Sequence, residues 1–447
     1  MKPALTLSIS ALAACLAAGG WALHHPIKTA GDKPLNAAVS MPVPVSAAAA
    51  APPTDEEKLD KIIAKYTQAA ARRPHDPRSW TDLGNALMQK ARETADLSYY
   101  SLAEADYRKA LARDPKSVPA LTGMAWVTSD RHEFEQSKAW AGRALALDPG
   151  SNDAYGLIGD ADQEIGDYNA AYIHYQKMLD LRPDLASYSR GGHLLWLTGA
   201  SGKGAELMVK AIDAGSAYAE STGWCRAQLG LMQWSEGHQD AAEQTLRDAR
   251  AATPRNYRVL MALGRVEAGR GNYTDAIDSY EKAVDVVPQI EAVSALGDLY
   301  ALTGRKAGAA QEFTLAEQID QIQKANGVKG GWQMSLFRAN HDRELPEALQ
   351  DAQDEYKTRK NVYAADTLAW CLYKTGHYSE AAAMSRAALA QHTPEADFNY
   401  HAGMIALKQN DVPAARLYLH QALQMNSDFS PIDAPAAAAA LKQMAGS

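Results

Sequence analysis

The chain has 447 residues, of which 47% are hydrophobic, and it carries a formal net charge of −8 at pH 7. That is enough apolar surface for a large buried core. The acidic balance, with no long run of lysine and arginine, excludes a general nucleic-acid binder, because such proteins need a basic face.

The N-terminus carries one positive residue, Lys2, followed by residues 4–23, which contain no charge. This pattern predicts a signal peptide or an N-terminal membrane anchor. Three interpretations stay open: a cleaved signal, a retained inner-membrane anchor, and a lipoprotein. The third rests on Leu12-Ala13-Ala14-Cys15, which resembles the sequence before a lipidated bacterial cysteine. All three predict an exported protein, periplasmic or in the cell envelope, held at a membrane through its N-terminus unless the segment is cleaved.

The next two segments differ in composition. Residues 24–54 are dominated by alanine, proline and small polar side chains, which predicts a disordered tether that cannot bury enough apolar surface to fold. In residues 55–75, charged and apolar side chains are interspersed at spacings typical of a helix. This segment is predicted to form an N-terminal capping helix.

From residue 76 onward the chain repeats itself. Prolines that close a helical unit recur with a period of about 34 residues at Pro115, Pro149 and Pro183, and again at Pro254 and Pro288. Apolar and small side chains within each unit are spaced three and four apart, which indicates helices. A glycine near the middle of most units predicts a break into two helices, since glycine adopts the positive φ that ends a helix.

Particular positions agree in register between the units. The first helix carries a small residue such as Gly84, Gly159 or Gly264, and the second carries an alanine followed by a ring, such as Tyr175 or Tyr280. These residues resemble the tetratricopeptide repeat (TPR) family. The resemblance implies an all-α, right-handed superhelical solenoid of about ten helix-turn-helix repeats with capping helices. In the fourth repeat His193 occupies the small position, so we expect the joint there to be looser or locally remodelled.

The repeats are not uniform along the chain. We divide them by composition into residues 76–316, the N-terminal part of the solenoid; 317–360, an extended helix and a degenerate repeat; 361–428, the C-terminal repeats; and 429–447, a C-terminal capping helix and tail. Solenoids need capping helices because a terminal repeat would otherwise expose its apolar face.

Few residues in the sequence indicate catalysis, metal binding or disulfide formation. Cys225 and Cys371 lie about four repeats apart, and solenoid units contact only their neighbours, so both are predicted to be buried and unpaired. No zinc-binding, nucleophile or phosphate-binding motif occurs in the sequence. We therefore predict no enzymatic activity, no cofactor and no metal.

The resemblance implies that the first helices line a concave groove that binds a partner. The positions carried over to this chain include the candidate partner-binding residues Trp126, Arg190, Trp234, Arg265, Phe337, Tyr363, Asp366, Trp370, Tyr373 and Tyr400. Further positions carried over are Asn85, Asp160, Gln163, Asp298 and Lys408. Four of the C-terminal residues form an aromatic cluster, which suits a peptide or a sugar ring. The alternative is that these rings only fill gaps between repeats.

The expected function is that of an extracytoplasmic scaffold or adaptor. It would hold a protein or peptide partner in the groove during envelope assembly or secretion in a bacterium. The alternative is an accessory protein that contacts a polysaccharide during export or assembly. The lysines with which some TPR grooves grip a chain terminus are absent, since Thr81 and Asp153 stand in their places.

Overall fold

A computed structural model of the chain describes residues 55–216, 219–325 and 331–445. All regular secondary structure in these ranges is helical, in ten consecutive helix pairs with a single helix at each end. The predicted signal or anchor, the lipidation at Cys15 and the tether lie outside the described residues. Within the ranges described, no helix is long and apolar enough to cross a membrane.

Each pair consists of a first helix and a second helix joined by a short turn, and successive pairs form repeats one to ten. The first helices are α2 (Pro77–Thr94), α4 (Val118–Asp130), α6 (Asn152–Glu164), α8 (Leu185–Leu197), α10 (Glu220–Ser235), α12 (Tyr257–Gly269), α14 (Ile290–Leu302), α16 (Trp332–Asn340), α18 (Val362–Lys374) and α20 (Ala396–Lys408). The second helices are α3 (Ser98–Arg113), α5 (Phe134–Leu147), α7 (Tyr168–Leu181), α9 (Ser201–Ala214), α11 (Gln239–Ala252), α13 (Tyr273–Val286), α15 (Lys306–Ala325), α17 (Leu345–Thr358), α19 (Tyr378–Leu389) and α21 (Val412–Met425). The terminal helices are α1 (Asp55–Arg72) and α22 (Asp433–Ala445).

A residue in the left-handed region separates the two helices of most pairs. Glycine occupies this place in six pairs, with φ between 77° and 85° at Gly166, Gly199, Gly237, Gly271, Gly304 and Gly376. Glycine adopts this conformation without steric cost, so the mid-unit glycines mark the turns. In three other pairs His132, Asp342 and Asn410 take the same place.

Short polar side chains fix where several helices begin. Asp167 accepts a hydrogen bond from the backbone of Ala170 at the start of α7. Asp184 and Ser187 form a reciprocal capping box at the start of α8. These caps satisfy backbone donors that have no partner inside the helix, and so they set the register of each repeat.

Close approach of a ring to a glycine holds the helices of a repeat together. A Cβ added at Gly84 would lie 2.6 Å from the ring of Tyr107, and one added at Gly123 would lie 2.3 Å from it. The same relation holds between Gly159 and Tyr175. The predicted packing of rings against small residues is confirmed, and Tyr107 joins two successive repeats because it fills a space on both α2 and α4.

The fourth repeat differs from the expectation. The small position is occupied by Gly192, one residue before His193. A Cβ there would lie 2.7 Å from the carbonyl oxygen of Gly204 on α9. The two helix backbones therefore approach closely, so of the two expected outcomes the joint is locally remodelled and not loosened. His193 is buried against Trp196 and Trp224 instead.

Successive turns of the superhelix also contact each other. Asn361, just before α18, donates a hydrogen bond of 2.8 Å to Glu164 at the end of α6. The backbone N–H of Val362 donates to the hydroxyl of Tyr168 at 2.9 Å. Thus the third repeat, which contains α6, touches the ninth, which contains α18.

The contact continues along the edge of the superhelix. Thr393, before α20, donates to the carbonyl of Leu197 at the end of α8. Asn426, before α22, donates to the carbonyl of Trp234 near the end of α10. The assumption that each unit touches only its neighbours is therefore wrong. Cys225 and Cys371 are nevertheless free and buried, as predicted.

Candidate partner-binding groove

The first helices of repeats one to five enclose a concave groove of about 810 Å³. Its walls come from α2, α4, α6, α8 and α10, and Arg359 reaches its floor from the loop between α17 and α18. The groove therefore depends on the contact between turns, because one of its lining residues comes from a distant repeat.

Two tryptophans present partly exposed faces to the groove. Trp126 lies on α4 and Trp224 on α10, and both are half-buried. Their buried sides pack into the apolar clusters between repeats. A half-buried indole on a groove wall offers flat apolar area for a partner at a low cost in side-chain entropy.

The centre of the groove holds a bidentate ion pair. Arg190 Nε lies 2.9 Å from Asp160 Oδ1, and Arg190 Nη2 lies 2.7 Å from Asp160 Oδ2. The hydroxyl of Tyr175 also donates to Asp160. Burial raises the pKa of Asp160, and the guanidinium of Arg190 acts in the opposite direction. Both charges in the groove centre are therefore committed to each other.

The floor of the groove holds a second buried ion pair. Arg359 donates through Nε to Oε2 of Glu164 and through Nη1 to Glu355, the latter at 3.2 Å. Asn361 donates to the same oxygen of Glu164. The other oxygen, Glu164 Oε1, has no hydrogen-bond partner among the described residues. Burial raises the pKa of Glu355 to about 7.

The remaining arginines of the groove are also engaged. Arg92 pairs with Glu220 at 3.2 Å. Arg182 pairs with Asp153 at 2.8 Å and with Asp184 at 2.6 Å. All four arginines that line the groove therefore already face carboxylates of the chain.

A buried histidine packs behind one of the groove tryptophans. His193 packs against Trp224, with ring centroids 6.4 Å apart. Burial lowers the pKa of His193 to about 4, so its ring is neutral near pH 7. It therefore supports the tryptophan as an uncharged ring.

The groove contains only part of the sequence-predicted site. Of the ten candidate residues, Trp126 and Arg190 line it, together with Asn85 and Asp160 from the wider set. Trp234 is 1% exposed and Phe337 is 2% exposed, so neither offers a side chain to a partner in this conformation. Both fill the space between helices.

Arg265 faces the chain itself. Its Nη2 atom lies 2.9 Å from Asp397 and 3.3 Å from Glu395, which belong to the tenth repeat. Burial and the neighbouring carboxylate raise the pKa of Asp397 to about 7, and Arg265 acts against that rise. Arg265 is thus part of the contact between turns.

The predicted aromatic cluster is packed inside the C-terminal repeats. Trp370 stacks on Tyr373 at 4.6 Å and on His401 at 4.1 Å, and it donates to Asn340 at 2.7 Å. Trp370 and Tyr400 are each 5% exposed. In this conformation Trp370 and Tyr400 fill gaps between repeats, whereas Tyr363 and Tyr373 of the same cluster are half-buried.

Two more predicted residues have internal partners. Tyr363 stacks on Trp332 at 5.4 Å and meets Phe398 edge-on at 5.5 Å. Asp366 lies 2.8 Å from a ring nitrogen of His401, and the charge of Asp366 raises the pKa of that histidine against the effect of burial. These residues tie α18 to α20.

Most lining residues of the groove were not predicted from the sequence, among them Trp224, Glu164 and Arg359. Trp224 lies six residues before the small residue Gly230, and its tryptophan side chain on a first helix was a usable signal. Glu164 and Arg359 carried no such signal, because they meet only through the contact between turns. In the described part of the chain, no set of histidine, cysteine and carboxylate side chains has the geometry of a metal site.

Comparison with known proteins supports the repeat assignment. Three segments match tetratricopeptide repeat models, at residues 153–185, 228–289 and 367–431. In these three segments the chain is similar to tetratricopeptide repeats. The first of these segments covers α6 and α7, and the second begins within α10 and covers α11, α12 and α13.

Whole-chain similarities are weaker. "Protein CTR9 homolog" of Arabidopsis thaliana is 23% identical over 311 residues, which are 59% of this chain and 28% of that protein. The chain thus spans less than a third of that relative. The structure of yeast Tom70 is 14% identical with a TM-score of 0.38, covering 88% of this chain and 93% of that one. The structure of Pseudomonas aeruginosa pilF is 16% identical with a TM-score of 0.39, covering 51% and 99%.

Proposed function

We propose that this protein is a scaffold that holds a segment of a protein partner in the groove of repeats one to five. The observation that carries the proposal is the groove itself, a concave space of about 810 Å³ with the half-buried faces of Trp126 and Trp224 on its walls. Partly exposed aromatic anchors beside polar groups are typical of surfaces that bind peptides.

The scaffold is proposed to act outside the cytoplasm, in envelope assembly or secretion. Support comes from residues 4–23, an uncharged stretch after a positive residue. Cell fractionation with intact-mass measurement tests this. Recovery of the mature chain from the envelope supports export, and a mass increase lost in Cys15→Ser supports lipidation. Recovery of the unprocessed chain from the cytoplasm would contradict it.

The polysaccharide alternative rested on the C-terminal aromatic cluster. Trp370 and Tyr400 are covered by the chain itself, so neither offers a ring face to a sugar in this conformation. Polysaccharide binding is therefore tested as one outcome of crosslinking in cells.

Site-specific photo-crosslinking in cells tests the scaffold. A photoreactive residue replaces Thr122, which lines the groove, and in a control it replaces Ile173, which is 65% exposed on α7. We expect a protein to be captured from position 122 and not from position 173. Equal capture from both positions would contradict the groove, and capture of glycan alone would favour the alternative.

Tryptophan substitutions then locate the contact. Trp126→Ala combined with Trp224→Ala should abolish capture from position 122, because it removes both aromatic anchors. Trp140→Ala on α5 is the matched control, since Trp140 is half-buried but does not line the groove. Circular dichroism confirms that each variant is folded. If Trp140→Ala and the double variant lower capture equally, the effect is one of stability.

A further inference from the structure

The floor of the groove carries a hydrogen-bond acceptor that the chain leaves unused. Glu164 lines the groove at the end of α6 and is 4% exposed. Its Oε2 atom accepts from Arg359 and Asn361, whereas Oε1 has no hydrogen-bond partner among the described residues. A buried carboxylate oxygen without a donor is energetically unfavourable, so this position favours a ligand that brings a donor.

The charges around this acceptor add up to an excess of acid. The lining of the groove holds four guanidinium groups and five carboxylates, namely Arg92, Arg182, Arg190 and Arg359 against Asp130, Asp148, Asp153, Asp160 and Glu164. With every group ionised, this cluster has one negative charge more than positive charges. An entering cation would neutralise it, whereas an entering anion would increase the imbalance.

The arginines of the groove cannot receive an acidic ligand without losing a partner. Arg190 donates from Nε and Nη2 to the two carboxylate oxygens of Asp160. Arg359 donates to both Glu164 and Glu355. An acidic segment would have to displace one of these buried carboxylates and leave it unpaired. A basic segment displaces none of them.

We propose that the groove selects a basic segment of its protein partner and takes a lysine or arginine side chain at Glu164 Oε1. Both side chains offer only donors, which matches an unpaired acceptor. Their methylene stems pack against indole faces, and Trp126 and Trp224 supply such faces on the walls. This inference rests on the proposed scaffold function and specifies the chemistry of its partner.

Peptide binding to the purified protein tests the selection. Fluorescent peptides of equal length, one alternating lysine with alanine, one glutamate with alanine and one serine with alanine, are titrated and followed by anisotropy. We expect the lysine peptide to bind at least about tenfold more tightly than the other two, and binding to weaken as salt is added. Equal affinity for the lysine and glutamate peptides would overturn the proposal.

A matched pair of variants separates the site from the overall negative charge. Glu164→Gln should weaken the lysine peptide by about tenfold or more, since it removes the charge at the acceptor. Glu380→Gln makes the same chemical change at an exposed position on α19 and should leave affinity unchanged. If both variants weaken binding equally, the peptide is responding to net charge and the proposal fails.

Glu164 also accepts a hydrogen bond from Arg359, so its substitution could affect folding. A second variant therefore tests the charge of the groove at a position without this structural role. Asp148 lies at the exposed rim of the groove, where its side chain accepts only a local backbone hydrogen bond from Gly150. Asp148→Lys should weaken the lysine peptide several-fold and leave the unfolding midpoint unchanged. If Glu164→Gln does not fold, an unchanged affinity in Asp148→Lys overturns the proposal.

Crosslinking distinguishes this inference from the function on which it rests. Sequencing the partner peptide captured at position 122 should show lysine or arginine next to the crosslink. A captured peptide without either residue would overturn the basic selection and leave the scaffold function standing. No captured protein at that position would instead contradict the scaffold function.

Discussion

Arg359 joins two turns of the superhelix and forms part of the groove floor. Its side chain is 3% exposed and that of its partner Glu164 is 5% exposed. Replacing Arg359 with leucine would leave Glu164 and Glu355 as buried carboxylates without a cation. We expect Arg359→Leu to lower the free energy of unfolding by about 3–5 kcal/mol, measured by urea denaturation.

An exposed ion pair gives the control for this substitution. Arg108 pairs with Glu104 one helical turn earlier, and the Arg108 side chain is 63% exposed. Arg108→Leu should change the free energy of unfolding by less than about 1 kcal/mol, because solvent screens the pair. Equal losses in Arg108→Leu and Arg359→Leu would mean that the contact between turns adds nothing to stability.

Glu355 predicts a pH dependence of stability. Burial raises its pKa from 4.5 in the unfolded chain to about 7 in the folded protein, so the folded state holds the proton more tightly. The stabilisation from protonated Glu355 is present at low pH and is lost as pH rises from 4.5 to about 7. A pKa shift of this size corresponds to a loss of roughly 3 kcal/mol. Arg359 lowers the pKa of Glu355, and the value of about 7 already includes that effect.

Glu355→Gln removes this titration. Urea denaturation across that pH window should show the wild type losing stability relative to the variant as pH rises, with the largest difference above pH 7. The exposed change Glu380→Gln serves as the control and should run parallel to the wild type. Parallel curves for Glu355→Gln and the wild type would show that folding does not change the pKa of Glu355.

At the scale of the helix pair, stability depends on space left for rings. A Cβ added at Gly159 would lie 2.4 Å from the ring of Tyr175, which cannot move because it is fully buried. We expect Gly159→Ala to cost about 1–3 kcal/mol in thermal or urea unfolding, because overpacking outweighs the gain in helix propensity.

A helical glycine without neighbours provides the opposite case. Gly142 lies in the middle of α5, and a Cβ there would meet nothing within 4 Å. Gly142→Ala should therefore stabilise the protein by about 0.5–1 kcal/mol through helix propensity alone. If both substitutions stabilise, the ring-to-glycine contact does not constrain the pair.

The sequence was sufficient to predict the helix pairs, but not which residue occupies the packed small position in every pair. The turn glycines and the rings opposite small residues are local signals, and the structure has them where the repeat pattern predicted. The fourth repeat was misassigned because two small residues, Gly191 and Gly192, precede His193. Only the close approach of the α8 and α9 backbones at Gly192 and Gly204 shows which position is the packed one.

At the scale of the whole molecule, the sequence did not predict which distant repeats contact each other. A repeat pattern describes how each unit meets the next, and it contains no information about units six repeats apart. Trp234 and Trp370 occupy groove positions in the repeat, yet neighbouring helices cover them. Arg265 occupies another such position, and it pairs with Asp397 across the contact between turns. The groove that remains open lies in repeats one to five, and part of its floor comes from Arg359.

Two glycines with the same backbone conformation can isolate the contact between turns. Gly166 has φ +84° and Gly376 has φ +85°, and each joins the two helices of its repeat. A Cβ at Gly166 would lie 2.5 Å from the carbonyl oxygen of Lys360 in the next turn, whereas one at Gly376 would meet nothing within 4 Å. Alanine therefore carries the same conformational cost of about 1–2 kcal/mol at both positions, but a steric conflict at only one.

We expect Gly166→Ala to destabilise the protein more than Gly376→Ala and to separate the two turns locally. Hydrogen exchange followed by mass spectrometry measures this, since the N–H of Val362 donates to Tyr168 across the same contact. Exchange around Val362 should accelerate in Gly166→Ala and stay unchanged in Gly376→Ala. If the two variants match in both stability and exchange, the turns do not stabilise each other, and the groove floor supplied by Arg359 is not held in place by the third repeat.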